Sequence, residues 1–512
     1  MRRSILWLGL AFVLIVAALP TLLYPLTRDQ GAYAYMADLI MNGGVPYRDA
    51  WDVKPPAIYL VYVAAFSLFG RSEFAVRVFE LIHTFLTAGL VGVLCWEVVG
   101  RRSVAVAAAW LYAISYFLFV HFYAVANPET FMAPLLVLMA YGLLRALREG
   151  GGVFVLLSGI AAGWAFWFKP TASVIVLGLV VWWVWEAWRE RWSARKIAGG
   201  LFSFALGGVL GLLPIGLYLL NHGGRDFVEI WQAYVGGAYL EAPGLATGGG
   251  WAGQWAVILR YLRAWQSLVG ITIVGSVAVL RCRAQARRWG VLFAFSAAAL
   301  ASVLIQGKLF EYHWIPVLAP AAILGACSLL WLKDWPRAGV VAITIALLLG
   351  IGYDHVVDYR RLAALIAGRM SMAKYDAHFT IGKDFSREGT ARAAEYLRLH
   401  TGADETVLIW GAEPLVNFLA ERRSPTRFIF SYMLAGSGPV DTHQDDWRAQ
   451  FLEEVQEARP AYIVLVENDF NPLSPAGSIA QLEHMSDFQA WIYAEYALET
   501  QVEDYRMYRR LP

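Results

Sequence analysis

A polytopic α-helical membrane protein with a small α/β domain after its last span is the fold this sequence predicts. Three observations predict it. The chain of 512 residues is 58% hydrophobic and 16% charged, where a soluble domain carries roughly 25% charged residues. Its long apolar runs lie almost entirely before residue 353. From about residue 354, near "YDHVVDYRR", the charge density becomes ordinary. Short apolar strands there alternate with helical stretches, as in a small α/β domain. The two domains are expected at 1–353 and 354–512, with no internal repeat or low-complexity tract.

A helix needs about 20 apolar residues to cross the hydrocarbon core. Candidate spans lie near 5–23, 74–98, 103–123, 128–145, 152–168, 170–188, 198–220, 256–280, 289–306, 314–332 and 338–353. The run 56–69, "PAIYLVYVAAFSLF", has 14 residues, a length that suits an interfacial or re-entrant helix better than a span. Loop charge decides its place. With the N-terminus inside and 56–69 not crossing, "GRRS" (100–103), "RALREGG" (145–151), "RERWSARK" (189–196), "RCRAQARR" (281–288) and "KDWPR" (333–337) all face the cytoplasm, as short basic loops should. If 56–69 crossed, every one of them would fall outside. The expectation is 11 spans, with helix 56–69 and the C-terminal domain on the outer face. Met1-Arg-Arg and the apolar stretch to Tyr24 fit a signal peptide. The length of the run and the lack of a small-x-small cleavage site favour an uncleaved anchor.

A net charge of +2 points away from nucleic acid, and Cys95, Cys282 and Cys327 show neither metal-ligand spacing nor a disulfide framework. No metal and no cofactor is expected. What this topology does gather on the outer side is a set of charges: Asp29 and Lys54 in the opening segment, "ANPET" with Asn127 and Glu129, "FKPT" with Lys169, a long loop from about Asn221 to Gln254, and "QGKLFEYHW" with Lys308, Tyr312 and His313. Charges near membrane depth are costly and usually mark a functional cavity.

Asp29 and Glu129 stand just past the ends of two spans. A carboxylate there can act as general base toward an attacking hydroxyl or amine. The plainer alternative is a solvated or capping acid, and for Glu129, after Asn-Pro, the helix dipole favours it. Lys54, Lys169 and Lys308 lie at outer helix ends beside apolar residues. Singly each suits snorkelling to the headgroups. Together with the acids and His313 they suit a phosphate, such as that of an anionic lipid. In "KPPA" the two prolines restrict the residue before them and start a helix, which places Lys54. Tyr33, Tyr35, Tyr47, Trp51 and Tyr59 suit an interfacial aromatic belt, although a sugar ring also packs on such faces. Glu80 and His83, three residues apart in the second span, are expected to pair.

Four stretches carry a resemblance: "RDQGAYAYMADLIMNGGVPYRDAWDVKPPAIYLVYVAAFSLFGRSEFAVRV", "YAVANPETFMAPLLVLMAYGLL", "GWAFWFKPTA" and "QGKLFEYHWIPVLAPAAILGA", in order through roughly the first 330 residues. The chain resembles the GT-C glycosyltransferases that use polyprenyl-phosphate sugars. It is most similar to glycosyltransferase family 39, which includes protein O-mannosyltransferases and the lipid A aminoarabinose transferase. The resemblance implies that Asp29 is the catalytic aspartate of the first loop. It implies that Glu129 is the second acidic position, and that Lys54 of the lysine–proline–proline motif meets the lipid phosphate. Lys169, Lys308 and His313 join Lys54 as donor-phosphate contacts, and Arg28, Tyr33, Asp52 and Tyr312 as substrate contacts. Many relatives carry an acid immediately before the lysine; here Val53 stands there and Asp52 one residue earlier. No metal is therefore assigned. The implied reaction passes a sugar, with inversion, from a polyprenyl-phosphate donor to an acceptor at the outer face of the bacterial cytoplasmic membrane. The acceptor, whether lipid, glycan or protein, is left open.

In the C-terminal part "REGTARAAEYLRLH", "EPLVNFLAE" and "DDWRAQFLEEVQEA" read as helices. "TVLIW", "TRFIF" and "AYIVLV" read as strands, and "YALETQVEDYRMYRR" as a closing hairpin. Glu413, Glu467, Asn468 and Asp469 read as strand-end polar groups, and the domain as an acceptor-binding or lid element. The competing function is a transporter or flippase of a lipid-linked sugar. That function asks for polar groups deep within several spans, whereas the spans here are mostly aliphatic.

Overall fold

The computed structural model describes residues 15–16, 18–233, 250–281, 286–330, 356–382, 384–435, 442–470 and 477–512. Its helices begin with α1 (Arg28–Met41), α2 (Ala57–Phe69), α3 (Glu73–Val99), α4 (Arg102–Phe119), α5 (Pro128–Glu149), α6 (Gly152–Phe168), α7 (Ala172–Arg189) and α8 (Ala194–Asn221). They continue with α9 (Gly224–Ile230), α10 (Gly250–Ala264), α11 (Gln266–Arg281), α12 (Ala286–Gln306) and α13 (Ile315–Ala326). Toward the C-terminus come α14 (Met372–Asp376), α15 (Arg387–His400), α16 (Pro414–Ala420), α17 (Tyr432–Ala435), α18 (Thr442–Ala458), α19 (Ser478–Leu482) and α20 (Ser486–Glu495). The chain forms two compact units. One comprises Met1–Tyr24, Phe74–Ile215 and Gly248–Ala363; the other comprises Pro25–Glu73, Gly216–Thr247 and Ala364–Pro512.

The first unit is helical. Among the described residues six helices are long and apolar enough to cross a membrane: α3, α5, α7, α8, the 288–306 part of α12, and Glu311–Leu330. The expected spans 103–123 and 152–168 appear as shorter apolar helices, Arg102–Leu118 and Gly152–Phe168. The expected span 256–280 is not straight: α10 and α11 meet at a bend of 83° and would make a seventh span only if counted together. The bend falls at Trp265, whose ring lies 6.5 Å from that of Trp314, with Tyr261 5.5 Å from the same ring. Most of the expected span 5–23, all of 338–353, Cys282 and the loop 333–337 lie outside the described residues, as does part of the loop 221–254.

Helices α6 and α8 touch through glycine. A side chain on Gly159 would strike the Phe204 carbonyl, one on Gly207 the Leu156 carbonyl, and one on Gly211 the Ile160 carbonyl. Small residues four apart let two helix backbones approach closely where hydrophobic burial gives no drive for association.

The second unit holds helix α2, 13 residues ended by Gly70 at φ 85°, and the C-terminal α/β domain. Strands β1 (Thr380–Ile381) and β2 (Phe385–Ser386) form a small hairpin, and β3 (Val407–Trp410), β4 (Tyr462–Val466), β5 (Tyr496–Val502) and β6 (Tyr505–Arg510) form a sheet in the order β3-β4-β6-β5. The pair β3–β4 is parallel and the rest antiparallel. Buried on both faces, β3 and β4 read as continuous apolar runs, and Leu397, Val416, Val464 and Met507 lie in their core. The expected strand "TRFIF" is not one. Its backbone is taken up singly, with the Arg427 carbonyl accepting from Trp51 N at 2.6 Å. The Arg427 side chain is held by Asp226 at 3.3 Å and Glu229 at 3.1 Å.

The glycine contact is testable. Gly207→Val should cost at least about 1–3 kcal/mol, the usual cost of overpacking, and lower the melting temperature of the detergent-solubilised protein. Gly199→Ala, on the same helix but facing open space, should leave it unchanged. Equal melting of the two variants would contradict the close approach.

Candidate active site

In the helical unit four of the sequence candidates, Glu129, Lys169, Tyr312 and His313, meet in one cluster. Asn127 caps α5, Pro128 opens it and Glu129 lies in its first turn, 1% exposed. Glu129 forms an ion pair with Lys169, the residue that ends α6. The Lys169 ammonium stands 5.2 Å from the centre of the Tyr312 ring, and that ring is 4.8 Å from His313. Tyr312 and His313 belong to the 3-10 turn Glu311–Trp314, which leads into α13. Lys308 is buried between Gly307 at φ 65° and Leu309 at φ 54°; burial pushes its ammonium below the usual lysine range.

Two buried acids hold the 121–127 turn: Glu80, which the sequence set beside His83, and Glu311, which it did not mark. Glu80 accepts from Ala126 N at 2.8 Å and from the Tyr116 hydroxyl, and pairs with Arg77 at 3.0 Å. Glu311 accepts from His121 N at 2.8 Å and from the Tyr123 hydroxyl at 2.7 Å. The expected Glu80–His83 pair does not form. Arg77, also three residues from Glu80, offers a full guanidinium charge, and the His83 ring packs 4.9 Å from Phe131 instead.

The second unit holds the other candidates. A hydrogen bond from Thr27 N to the Gln30 side chain, 3.2 Å long, fixes the start of α1. Asp29 sits in that first turn, where a negative charge suits the helix dipole. Its half-buried carboxylate makes no hydrogen bond or ion pair among the described residues. Arg28 is engaged: its Nε and one terminal nitrogen reach Glu413 Oε1 at 3.1 and 2.8 Å, and the other terminal nitrogen reaches the Phe470 carbonyl at 3.1 Å.

Lys54 is placed through its backbone. Its carbonyl accepts from Tyr47 at 2.7 Å and from Tyr59 at 3.0 Å. Asp52, 3% exposed, accepts from the Tyr59 hydroxyl at 2.8 Å and from Val53 N at 2.7 Å. Burial pushes its carboxyl up to about 6, against the pull of the Lys54 charge. Tyr33 packs edge-on to Tyr62 at 5.7 Å. The belt reading of these aromatics is corrected here: Tyr33, Tyr35, Tyr47, Trp51 and Tyr59 are all buried within the protein. An aromatic run at a helix end looks the same in sequence whether it faces lipid or its own fold.

Sequence reading gave Tyr47 and Tyr59 to an aromatic belt and Glu413 to a strand end, and passed over Glu311; Glu413 is 385 positions from its partner, beyond any local signal.

The Asp52 titration has a definite sign. An acid whose folded value lies above its unfolded value, here about 6 against 3.8, binds its proton more tightly in the folded state. It makes the fold less stable as pH rises through that window. Tyr59→Phe removes a bond that favours the carboxylate, so the titration should move above 6. Infrared titration of the carboxyl band, with Asp52→Asn as blank, checks this; an unmoved or lowered midpoint contradicts it.

Comparison with known proteins gives two findings. Residues 53–214 match the family model described as dolichyl-phosphate-mannose-protein mannosyltransferase, a range that includes Lys54, Glu129 and Lys169. No curated protein sequence matches the chain. Among solved structures, ArnT from Cupriavidus metallidurans bound to undecaprenyl phosphate is similar, with a TM-score of 0.62 and 13% identity, covering 98% of each chain. The same protein in the apo state gives 0.61 and 14%, covering 100% of this chain and 99% of that one. The chain, with at least six helices long and apolar enough to cross a membrane among its described residues, thus shares the fold of ArnT along its length and matches the mannosyltransferase family model across residues 53–214.

Proposed function

We propose that this protein transfers a sugar from a polyprenyl-phosphate-linked donor to an acceptor at the outer face of the bacterial cytoplasmic membrane, with inversion at the anomeric carbon. The observation that carries the reading is the match of residues 53–214 to a polyprenyl-type mannosyltransferase family. The full-length likeness to a fold that binds undecaprenyl phosphate in ArnT supports it. In this reading residues 1–353 form the membrane catalytic domain and 354–512 an extracytoplasmic domain.

Asp29 takes the proton from the acceptor hydroxyl as its oxygen attacks the anomeric carbon. The bond from that carbon to the phosphate oxygen breaks, and its electron pair leaves on the lipid phosphate. Lys54, Lys169, Lys308 and His313 stabilise the charge that develops there, which is stabilisation aimed at the transition state. Glu129 is the second acid of the site and keeps Lys169 oriented through their ion pair. Tyr33, Asp52 and Tyr312 complete the substrate-binding set, while Arg28, expected with them, has its nitrogens taken by Glu413 and by the Phe470 and Asp384 carbonyls. The half-buried, unpaired state of Asp29 among the described residues suits a base that must accept a proton from a passing substrate.

Three variants test this. Asp29→Asn should abolish turnover, read as release of undecaprenyl phosphate from its mannosylated form, while expression and membrane insertion persist. Near-normal turnover would remove Asp29 as base. Lys54→Ala should weaken donor use about tenfold to somewhat over a hundredfold, the value of a charged hydrogen bond of roughly 1.5–3 kcal/mol. Arginine at position 54 should recover part of the loss, since its planar fork differs from a point ammonium. An unchanged donor dependence with weakened acceptor dependence would move Lys54 out of the phosphate site.

A further inference from the structure

The C-terminal α/β domain does more than sit beside helix α1. Every part of that helix is fastened to it. At its start, Leu26 N donates to Glu73 Oε1 at 2.8 Å, and Glu73 is in turn paired with Arg387 of α15 at 2.5 Å. In its first turn, Arg28 meets Glu413, the residue that precedes α16. One residue beyond Gln30, Gly31 lies so near α16 that an added Cβ would stand 2.5 Å from Leu415 Cβ. At its middle the Tyr35 hydroxyl accepts from Ser424 N at 3.0 Å. At its end Arg71 joins Asp38 at 2.7 Å to the Phe418 carbonyl at 2.6 Å.

The pair nearest the proposed base is the one between Arg28 and Glu413. The Glu413 side chain is 2% exposed. One oxygen takes both Arg28 bonds, and the other, Oε2, has no hydrogen-bond partner among the described residues. A buried carboxylate is retained at a cost unless it is paired; among the described residues this one is paired by the residue that adjoins Asp29. Each nitrogen of Arg28 is occupied by Glu413 or by the carbonyls of Phe470 and Asp384.

We propose that Glu413 is a positioning residue for glycosyl transfer, acting through Arg28 to fix the first turn of α1 and the direction of the Asp29 carboxylate. This rests on the reading of Asp29 as the base. The C-terminal domain is then part of the catalytic apparatus by way of α1. Arg28 serves the reaction from behind Asp29 rather than by touching the sugar. A displacement of about 1 Å at a reacting group can cost on the order of a hundredfold in rate, so a salt bridge beside the base has ample leverage.

The test uses the full-length protein in lipid nanodiscs, with mannosylated undecaprenyl phosphate as donor. Glu413→Gln should lower kcat by about ten- to a hundredfold, with the donor KM within about twofold and with undecaprenyl phosphate bound as by the wild type. Glu413→Asp should recover part of kcat. Removing one partner of a buried pair can unfold a protein, whereas removing both is milder. If Glu413→Gln does not fold, the double variant Arg28→Gln/Glu413→Gln takes its place and should be folded and slow. A folded variant of either kind with wild-type kcat overturns the proposal, as does a loss carried wholly by KM, which would make Glu413 a binding residue. Asp29→Asn is run in parallel. If it is inactive while Glu413→Gln is fully active, the positioning role alone falls. If it is active, the base assignment falls and the positioning role with it.

Discussion

The ion pair between Arg28 and Glu413 is the interaction on which the arrangement of the second unit turns. Its partners come from the two ends of the chain. Both are largely shielded from water, so the pair is held by geometry and mutual need rather than by charge attraction alone. Around it the chain places an absent side chain at Gly31, a clamp at Arg71 and a shared acceptor at Glu73. Each removes one freedom of helix α1. What remains is a helix whose first turn cannot rotate without breaking contacts to α15 or α16.

The helical unit uses a related device with different atoms. Glu80 and Glu311 are buried acids whose acceptors are filled by backbone N–H groups and tyrosine hydroxyls of the 121–127 turn. Three non-glycine residues in these loops, Tyr47, Ala126 and Leu309, adopt left-handed backbone angles. Such angles are retained where the surroundings over-determine them. Tyr47 precedes Lys54 and holds its carbonyl, Ala126 precedes Asn127 and Glu129, and Leu309 follows Lys308. The same angles recur at Arg191, Glu421, Arg459 and Glu503, none of which is a site candidate.

Much of the fold was legible because it rests on local pattern. Apolar run lengths announced α3, α5, α7 and α8, and alternating short runs announced β3, β4 and the β5–β6 hairpin. "NPE" announced the start of α5, since Asn, Pro and an acid each suit one position of a helix N-terminus. Other features depend on partners far along the chain. The break at Trp265 has no proline or glycine to signal it. "TRFIF" has the residues of a strand but lacks a neighbour to pair with, because the Arg427 carbonyl goes to Trp51. Of the candidate site, the residue types were legible and their partners were not. Lys169 was readable as a lysine at a helix end; that Glu129 meets it follows only from the packing of α5 and α6.

The second unit is assembled from three separate stretches, Pro25–Glu73, Gly216–Thr247 and Ala364–Pro512. The chain therefore leaves this unit twice and comes back twice. The unit is therefore completed only late in the chain: α1, made near the start, meets the partners of Arg28, Gly31 and Tyr35 only once residues 413–424 have been made.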